Sequence, residues 1–283
     1  MTRSKPHVTI GVLALQGAFS EHIQLLRQAT LVLKASRVND SEWRFLEVRT
    51  PEELGKCDAL IIPGGESTTM SLVAARSGML EPLREYVKVL RKPTWGTCAG
   101  LILLAESANR TKKGGQELIG GLDVRVNRNH FGRQVESFQA NLDLPFLRTS
   151  GGVTDEDATR PFRGVFIRAP VVEKILPHRE GIQIEEASRE ATVVAPSRVP
   201  TDNVAKKDFE AEVEVLARLP SHATTLPDQE NTAQATGGDI IAVRQGNVFG
   251  TSFHPELTGD SRIHVWWLEQ IMTALDRRIQ QAS

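Results

Sequence analysis

Pro93-Thr-Trp-Gly-Thr-Cys-Ala-Gly-Leu-Ile-Leu-Leu-Ala105 is a strand, a turn and a helix written in one short run. Thr94–Gly96 is apolar and strand-like, Gly96-Thr-Cys-Ala-Gly100 is the turn, and an apolar helix follows. Glycine two places before and after a central nucleophile is the pattern of a nucleophile elbow. A chain that reverses directly from strand into helix holds its central residue in strained backbone. Side chains two residues to either side would collide, so glycine stands at both places. The central residue here is Cys98, at the N-terminus of the helix, where the helix dipole favours thiolate over thiol. A free cysteine is otherwise a common core residue. Cys57, in Gly55-Lys-Cys-Asp-Ala59, leads into a strand with no elbow and reads as structural.

Outward from this turn, short apolar runs have the composition of strands buried on both faces: Val8–Leu15, Ala59–Pro63, Thr94–Gly96, Gly164–Ile167, Ile240–Val243 and Val248–Ser252. Helical spacing fills the gaps between the early ones, at Ser20–Gln28 (with Ser20 as N-cap), Ser67–Arg76, Leu80–Leu90 and Ala99–Glu106. Ser261–Gln280 is predicted to be an amphipathic helix whose apolar stripe is Ile263, Trp266, Trp267, Ile271 and Leu275. The alternation predicts an α/β fold in three layers, a mostly parallel sheet flanked by helices. The chain, 1–283, reads as one domain with two surface insertions, at about 33–44 and 185–238. Within the second, Lys207–Leu216 has helical character, and the polar run Ser221–Gly238 is predicted to be disordered.

The bulk properties narrow the function. Lys and Arg number 34 against 35 Asp and Glu, a net charge of −1. That balance supplies no electrostatic reason to expect nucleic acid or an anionic membrane as partner. Two cysteines exclude a disulfide framework and point to a reducing, cytoplasmic setting. No apolar run reaches the roughly 18 residues of a membrane span. Arg3 and Lys5 ahead of Val8–Leu15 loosely mimic a signal peptide, but the fold needs that run as a core strand.

A catalytic thiolate needs a base, and the base an orienting group. Gly250-Thr-Ser-Phe-His-Pro-Glu-Leu257 supplies both. His254 and Glu256 are two residues apart, so in extended backbone their side chains project to one side. His7, His22, His178, His222 and His264 have no comparable context, and neither a C-x-x-C nor an H-E-x-x-H spacing suggests a metal. No cofactor is expected. Ile61-Ile-Pro-Gly-Gly-Glu-Ser-Thr-Thr-Met70 is a strand, a glycine turn and a helix start. Gly64 and Gly65 let backbone N–H groups face an oxyanion, and Ser67 or Thr68 is the expected helix cap. Arg128 and Arg133 in Val126–Gln134, and Arg168 at the end of the apolar strand in Val165–Pro170, are either solvated arginines or groups that recognise substrate charges or position loops around the pocket.

Taken in order, the Pro-Gly-Gly-Glu-Ser turn, the Gly-Thr-Cys-Ala-Gly elbow, Asn127–Gln134 and Ser252–Glu256 resemble the class I, triad-type glutamine amidotransferases, whose fold is flavodoxin-like. Leu13–Phe19, Pro63–Met70, Asn127–Phe138 and Phe166–Pro170 narrow the resemblance to the glutaminase subunits of pyridoxal 5′-phosphate synthases. The resemblance covers about residues 8–30, 50–184 and 239–275. It implies that Cys98, His254 and Glu256 hydrolyse L-glutamine through a γ-glutamyl thioester. It implies that Gly64, Gly65 and Glu66 contact glutamine near the oxyanion, and that Arg128, Ile167 and Arg168 bind the rest. It also implies a synthase subunit as partner and ammonia acceptor, and an oxyanion loop not fully arranged until that partner docks. The alternatives are a γ-glutamyl peptide hydrolase or another class I amidotransferase on the same scaffold, or a non-catalytic binding subunit with a vestigial triad.

Overall fold

The computed structural model describes residues 7–36, 41–109, 116–128, 130, 137–219 and 238–282. Its strands are β1 (His7–Leu13), β2 (Glu42–Val48), β3 (Ala59–Ile62), β4 (Thr94–Thr97), β5 (Ala105–Asn109), β6 (Leu122–Asn127), β7 (Ser137–Leu142), β8 (Phe162–Ile167), β9 (Val171–Ile175), β10 (Thr192–Val194), β11 (Glu214–Leu219), β12 (Asp239–Gln245) and β13 (Val248–Thr251). The helices are α1 (Phe19–Ala35), α2 (Pro51–Gly55), α3 (Ser67–Arg76), α4 (Leu80–Arg84), α5 (Ala99–Leu104), α6 (Asp155–Thr159), α7 (Ile184–Ala187), α8 (Asn203–Phe209) and α9 (Arg262–Ala282).

The strands β2-β1-β3-β4-β13 form a parallel half-sheet. β13 pairs antiparallel with β12, and the sheet continues through β9, β6, β5 and β10 as a mixed flank. Successive side chains of a strand point to opposite faces, and β3 shows the consequence. Ala59 and Ile61 join a core with Leu26 and Leu33 of α1 and Ile263, Trp266, Trp267 and Ile271 of α9. Leu60 and Ile62 join the opposite core with Met70 of α3, Leu83 of α4 and Leu101 and Leu104 of α5. The three-layer α/β expectation therefore holds. Each large apolar side chain that α9 buries contributes roughly 1.5–3 kcal/mol, and Trp266 packs at steep angles against Phe146 and Phe249, with ring centroids 4.7 and 5.0 Å away.

Several local expectations are corrected. α1 starts at Phe19 with no side-chain cap, not at Ser20, and runs on to Ala35. The stretch 33–44, expected as an insertion, is thus the end of α1 and the start of edge strand β2, with 37–40 outside the described residues. The helix expected over Leu80–Leu90 is α4 followed by a π-helical turn at Glu85–Val89. α5 ends at Leu104, and Ala105 already belongs to β5. Among the described residues β8 lies outside the main sheet and pairs only with β7, and it is buried on one face rather than two.

The larger difference concerns 185–238. Its described part is not loop throughout: β10 extends the sheet beside β5, and β11 pairs with β12. The helix expected at Lys207–Leu216 lies at Asn203–Phe209, and Glu214–Leu219 is strand. Glu, Leu, Ala and Arg favour helix locally, but pairing with β12 overrides that preference. The disorder expected for Ser221–Gly238 falls, except at Gly238, outside the described residues.

One buried arginine ties this region to the sheet. Arg91 is fully buried, with φ +44°, and donates to the backbone oxygens of Gly121 (2.8 Å), Asp208 (3.0 Å) and Gln245 (3.0 Å). Asn247 also donates to the Asp208 carboxylate at 2.6 Å. Arg91→Ala should therefore lower the unfolding free energy by about 3 kcal/mol, the scale of breaking a buried charged network. Hydrogen exchange should show protection falling first in α8 and β11. Unchanged protection there would refute the anchoring role.

Candidate active site

Cys98 has φ +49° and ψ −101°, a backbone region that costs about 1–3 kcal/mol for a residue with a side chain. The glycines around it are sterically required. A Cβ on Gly96 would lie 2.5 Å from the Gly100 carbonyl carbon, and one on Gly100 would fall inside the Ile62 carbonyl oxygen. The Cys98 N–H donates to Thr251 O at 2.8 Å, which pins the turn to β13. Since β4 and β13 are parallel neighbours, the end of β13 delivers the next segment, Ser252–Glu256, beside the thiol.

That segment carries His254 and Glu256. His254 Nδ1 lies 2.8 Å from Glu256 Oε1, and both side chains are buried. The His254 N–H donates to Val165 O at 2.8 Å, fixing the segment against β8. Burial opposes protonation of the imidazole, but hydrogen bonds and charge interactions with Cys98 and Glu256 outweigh it and push His254 up to about 10. An imidazolium lying between sulfur and carboxylate is the resting arrangement of a nucleophile and base pair.

Cys98, His254, Gly65, Glu66, Arg128, Ile167 and Arg168 line one cavity of about 250 Å³, together with Ser67 and Ile102. Gly64 lies against the imidazole, since a Cβ there would come 2.7 Å from His254 Nδ1 and closer still to Cε1. Arg168 shares the strained backbone of the site, with φ +43°, and the Ile167 carbonyl lies 3.9 Å from Cys98 Sγ. Two larger cavities, of about 520 and 370 Å³, are lined by neither cysteine nor histidine.

Glu66 does more than the sequence reading assigned. It, rather than Ser67 or Thr68, caps α3, accepting from Thr68 N at 3.1 Å and Thr69 N at 2.7 Å. Burial raises its pKa, but the hydrogen bonds from Thr69 and Thr68 prevail and hold the carboxyl below its ordinary range. Arg128 reaches the same helix turn, donating to Ser67 Oγ at 2.8 Å and Thr68 Oγ1 at 3.0 Å, with Glu66 Oε1 at 3.7 Å. Arg133 lies outside the described residues. Behind the glycine turn, Gln16 Oε1 accepts from Glu66 N at 3.3 Å, and Gly17, with φ +89°, packs its Cα on the Gly64 carbonyl.

Two histidines set aside in the sequence reading belong here. His22 and His264 are both fully buried behind Glu256, with His22 Nε2 3.3 Å from Glu256 Oε2. The available signal was a polar residue on the apolar stripe of each helix. His22 interrupts the buried face of α1 beside Ile23 and Leu26, and His264 that of α9 beside Ile263 and Leu268.

The His254 geometry has a direct test. In a histidine-resolved NMR titration of the full chain, His254 should stay protonated through neutral pH and titrate near 10. Cys98→Ala removes two of the influences that favour the proton and leaves burial opposing it, so the midpoint should fall. An unmoved midpoint would separate His254 from Cys98.

Comparison with known proteins agrees with this arrangement. A model described as the SNO glutamine amidotransferase family matches residues 12–201 and 197–273. A probable pyridoxal 5′-phosphate synthase subunit PDX2 of Arabidopsis thaliana is 40% identical over 262 residues, covering 93% of this chain and 85% of that protein. The pyridoxal 5′-phosphate synthase subunit PdxT of Streptomyces avermitilis is 40% identical, covering 93% of each. That of Herpetosiphon aurantiacus is 36% identical, covering 92% of this chain and 99% of its own. A crystal structure of a glutamine amidotransferase superposes with a TM-score of 0.58 at 33% identity, covering 93% of this chain and 98% of that one. The chain belongs to the SNO glutamine amidotransferase family.

Proposed function

We propose that this protein is the glutaminase subunit of a pyridoxal 5′-phosphate synthase, hydrolysing L-glutamine to L-glutamate and ammonia. The observation that carries the reading is the strained Cys98 turn sharing a cavity with His254, whose ring is held from behind by Glu256. Cys98 Sγ attacks the side-chain amide carbon, and the oxygen becomes an oxyanion. Backbone N–H groups of the Gly64–Gly65 turn are the proposed donors to it. Collapse breaks the carbon–nitrogen bond, and the proton on His254 leaves with ammonia. Water, deprotonated by His254, then attacks the γ-glutamyl thioester and releases glutamate and the thiolate. Glu256 holds the imidazole throughout.

In this reading Gly64, Gly65 and Glu66 contact the glutamine near its reacting amide, and Arg128, Ile167 and Arg168 hold the remainder. The arginines supply positive charge for the α-carboxylate. The acceptor of ammonia is a synthase subunit bound to this one in a hetero-oligomer, working in the reducing cytoplasm. Direct transfer has a physical purpose, because ammonia released to water is protonated and loses its nucleophilic lone pair.

The experiment compares glutamine turnover by this chain with and without its cognate synthase, beside turnover of γ-glutamyl peptides. Glutaminase activity should rise when the synthase binds. Cys98→Ala should lower turnover by at least about a thousandfold, the scale of losing a nucleophile, and leave synthase binding intact. Efficient peptide hydrolysis without a partner, or undiminished turnover by Cys98→Ala, would overturn the proposal.

A further inference from the structure

We infer that His22 is a positioning residue for Glu256: its Nε2–H is shared between Thr97 Oγ1 and the nearby carboxylate oxygen not used by His254, and His264 fixes the tautomer that puts the proton there. The inference rests on the glutaminase reading for its kinetic consequences only.

The polar atoms behind the triad can be assigned one by one. Glu256 Oε1 is taken by His254 Nδ1 at 2.8 Å. Oε2 is buried and receives no hydrogen bond of good geometry among the described residues, while His22 Nε2 faces it at 3.3 Å. The same nitrogen lies 3.3 Å from Thr97 Oγ1, so the donor is shared between the carboxylate and the hydroxyl of the residue preceding Cys98. On the other side of the ring, His22 Nδ1 lies 3.0 Å from His264 Nε2. His264 Nδ1 is buried with no hydrogen-bond partner among the described residues.

Both rings are neutral at ordinary pH. Burial, then the charges of His264 and His254, hold His22 well below its usual range. Burial takes His264 down to about 3, against a weaker pull from Asp260. Each ring therefore carries a single proton, and two arrangements are possible. If His22 carried its proton on Nδ1, it would donate to His264 Nε2. His264 would then hold an unpaired, buried N–H on Nδ1, and the His22 Nε2 lone pair would face the Glu256 anion, with the Thr97 hydroxyl as its one donor among the described residues. Both features are unfavourable. With protons on both Nε2 atoms, His264 donates to His22, and the His22 N–H serves Thr97 Oγ1 while facing Glu256 Oε2 at 3.3 Å. The only unpartnered ring atom is then a bare lone pair. The chain of donors runs in one direction, from α9 through α1 to the carboxylate that orients the catalytic base. Trp95, edge-on to His22 at 5.5 Å and to His264 at 4.9 Å, holds both rings in place.

The test has an activity-independent part. Long-range proton–nitrogen NMR of the full chain should show His22 and His264 neutral, each with its proton on Nε2; a His22 protonated on Nδ1 overturns the inference. The kinetic part uses the chain bound to its synthase. His22→Leu should lower kcat for glutamine roughly 10- to 100-fold, the size expected for losing a hydrogen bond to a charged group, with KM changed less than about twofold. His22→Gln, whose amide nitrogen can reach the position of Nε2, should restore much of the lost kcat. A purely structural role would lower the melting temperature without lowering kcat against an unchanged KM, and a folded His22→Leu with unchanged kcat overturns the inference. If His22→Leu does not fold, the tautomers in the unaltered chain decide. Were the unaltered complex inactive on glutamine, the functional proposal would fail while the NMR result still judged this one.

Discussion

A chain that runs from a buried strand straight into a helix leaves no room for side chains around the point of reversal. At Cys98 that steric limit organises everything else. Gly96 and Gly100 approach each other and the Ile62 backbone so closely that a methyl group at either would displace main chain. The strain held at Cys98, about 1–3 kcal/mol, persists because neighbouring backbone over-determines it. Its N–H is committed to Thr251 on one side, and its carbonyl accepts from Ile102 inside α5 on the other. The thiol is therefore fixed by main-chain geometry rather than by its own rotamer alone, and it projects from the turn with little freedom to relax.

The parallel half-sheet turns this local constraint into a site. Parallel strands present their C-terminal ends along one edge, where open α/β sheets bind ligands. Gln16 and Gly17 follow β1, Gly64–Glu66 follow β3, Cys98 follows β4, and His254 follows β13. The β7–β8 hairpin, outside the main sheet, reaches the same edge and places Ile167 and Arg168 in the cavity. Contacts at this edge are mutually exclusive of side chains at Gly17 and Gly64: the first packs on the carbonyl of the second, and the second packs on His254. The glycine turn after β3 thus sets the position of the His254 ring, and the proposed reaction draws its oxyanion donors from the same turn.

What could be read from the sequence follows the range of the forces involved. The Cys98 elbow, the His254–Glu256 spacing and the α3 and α9 patterns are set by sterics or periodicity over a few residues, and they stood out. The helix caps did not: Glu66 outcompetes Ser67 and Thr68 for the α3 N–H groups because its longer side chain folds back over the first turn, and α1 begins without any side-chain cap. β11 was obscured because its residues favour helix and only its pairing with β12 makes it strand. β8 was placed in the wrong sheet because its apolar run fits a one-faced hairpin as well as a buried strand. His22 and His264 are 242 positions apart, and nothing local links them. Their role depends on α1 and α9 packing on the same face of the sheet.

That packing also explains why histidine, rather than a permanently charged donor, suits the position behind Glu256. A lysine or arginine there would neutralise the carboxylate fully and lie close to His254. It would oppose the imidazolium that the base must carry during amide cleavage. Charge on His22 is indeed disfavoured by His254 as well as by burial. A neutral imidazole contributes a dipole pointing at Glu256 without a net charge. It stabilises the anion and leaves the carboxylate's attraction for the His254 proton largely intact. It also adds no ion that would need its own buried counter-charge. The two-helix face behind Glu256 is thus buried and aromatic, and its two histidines are neutral.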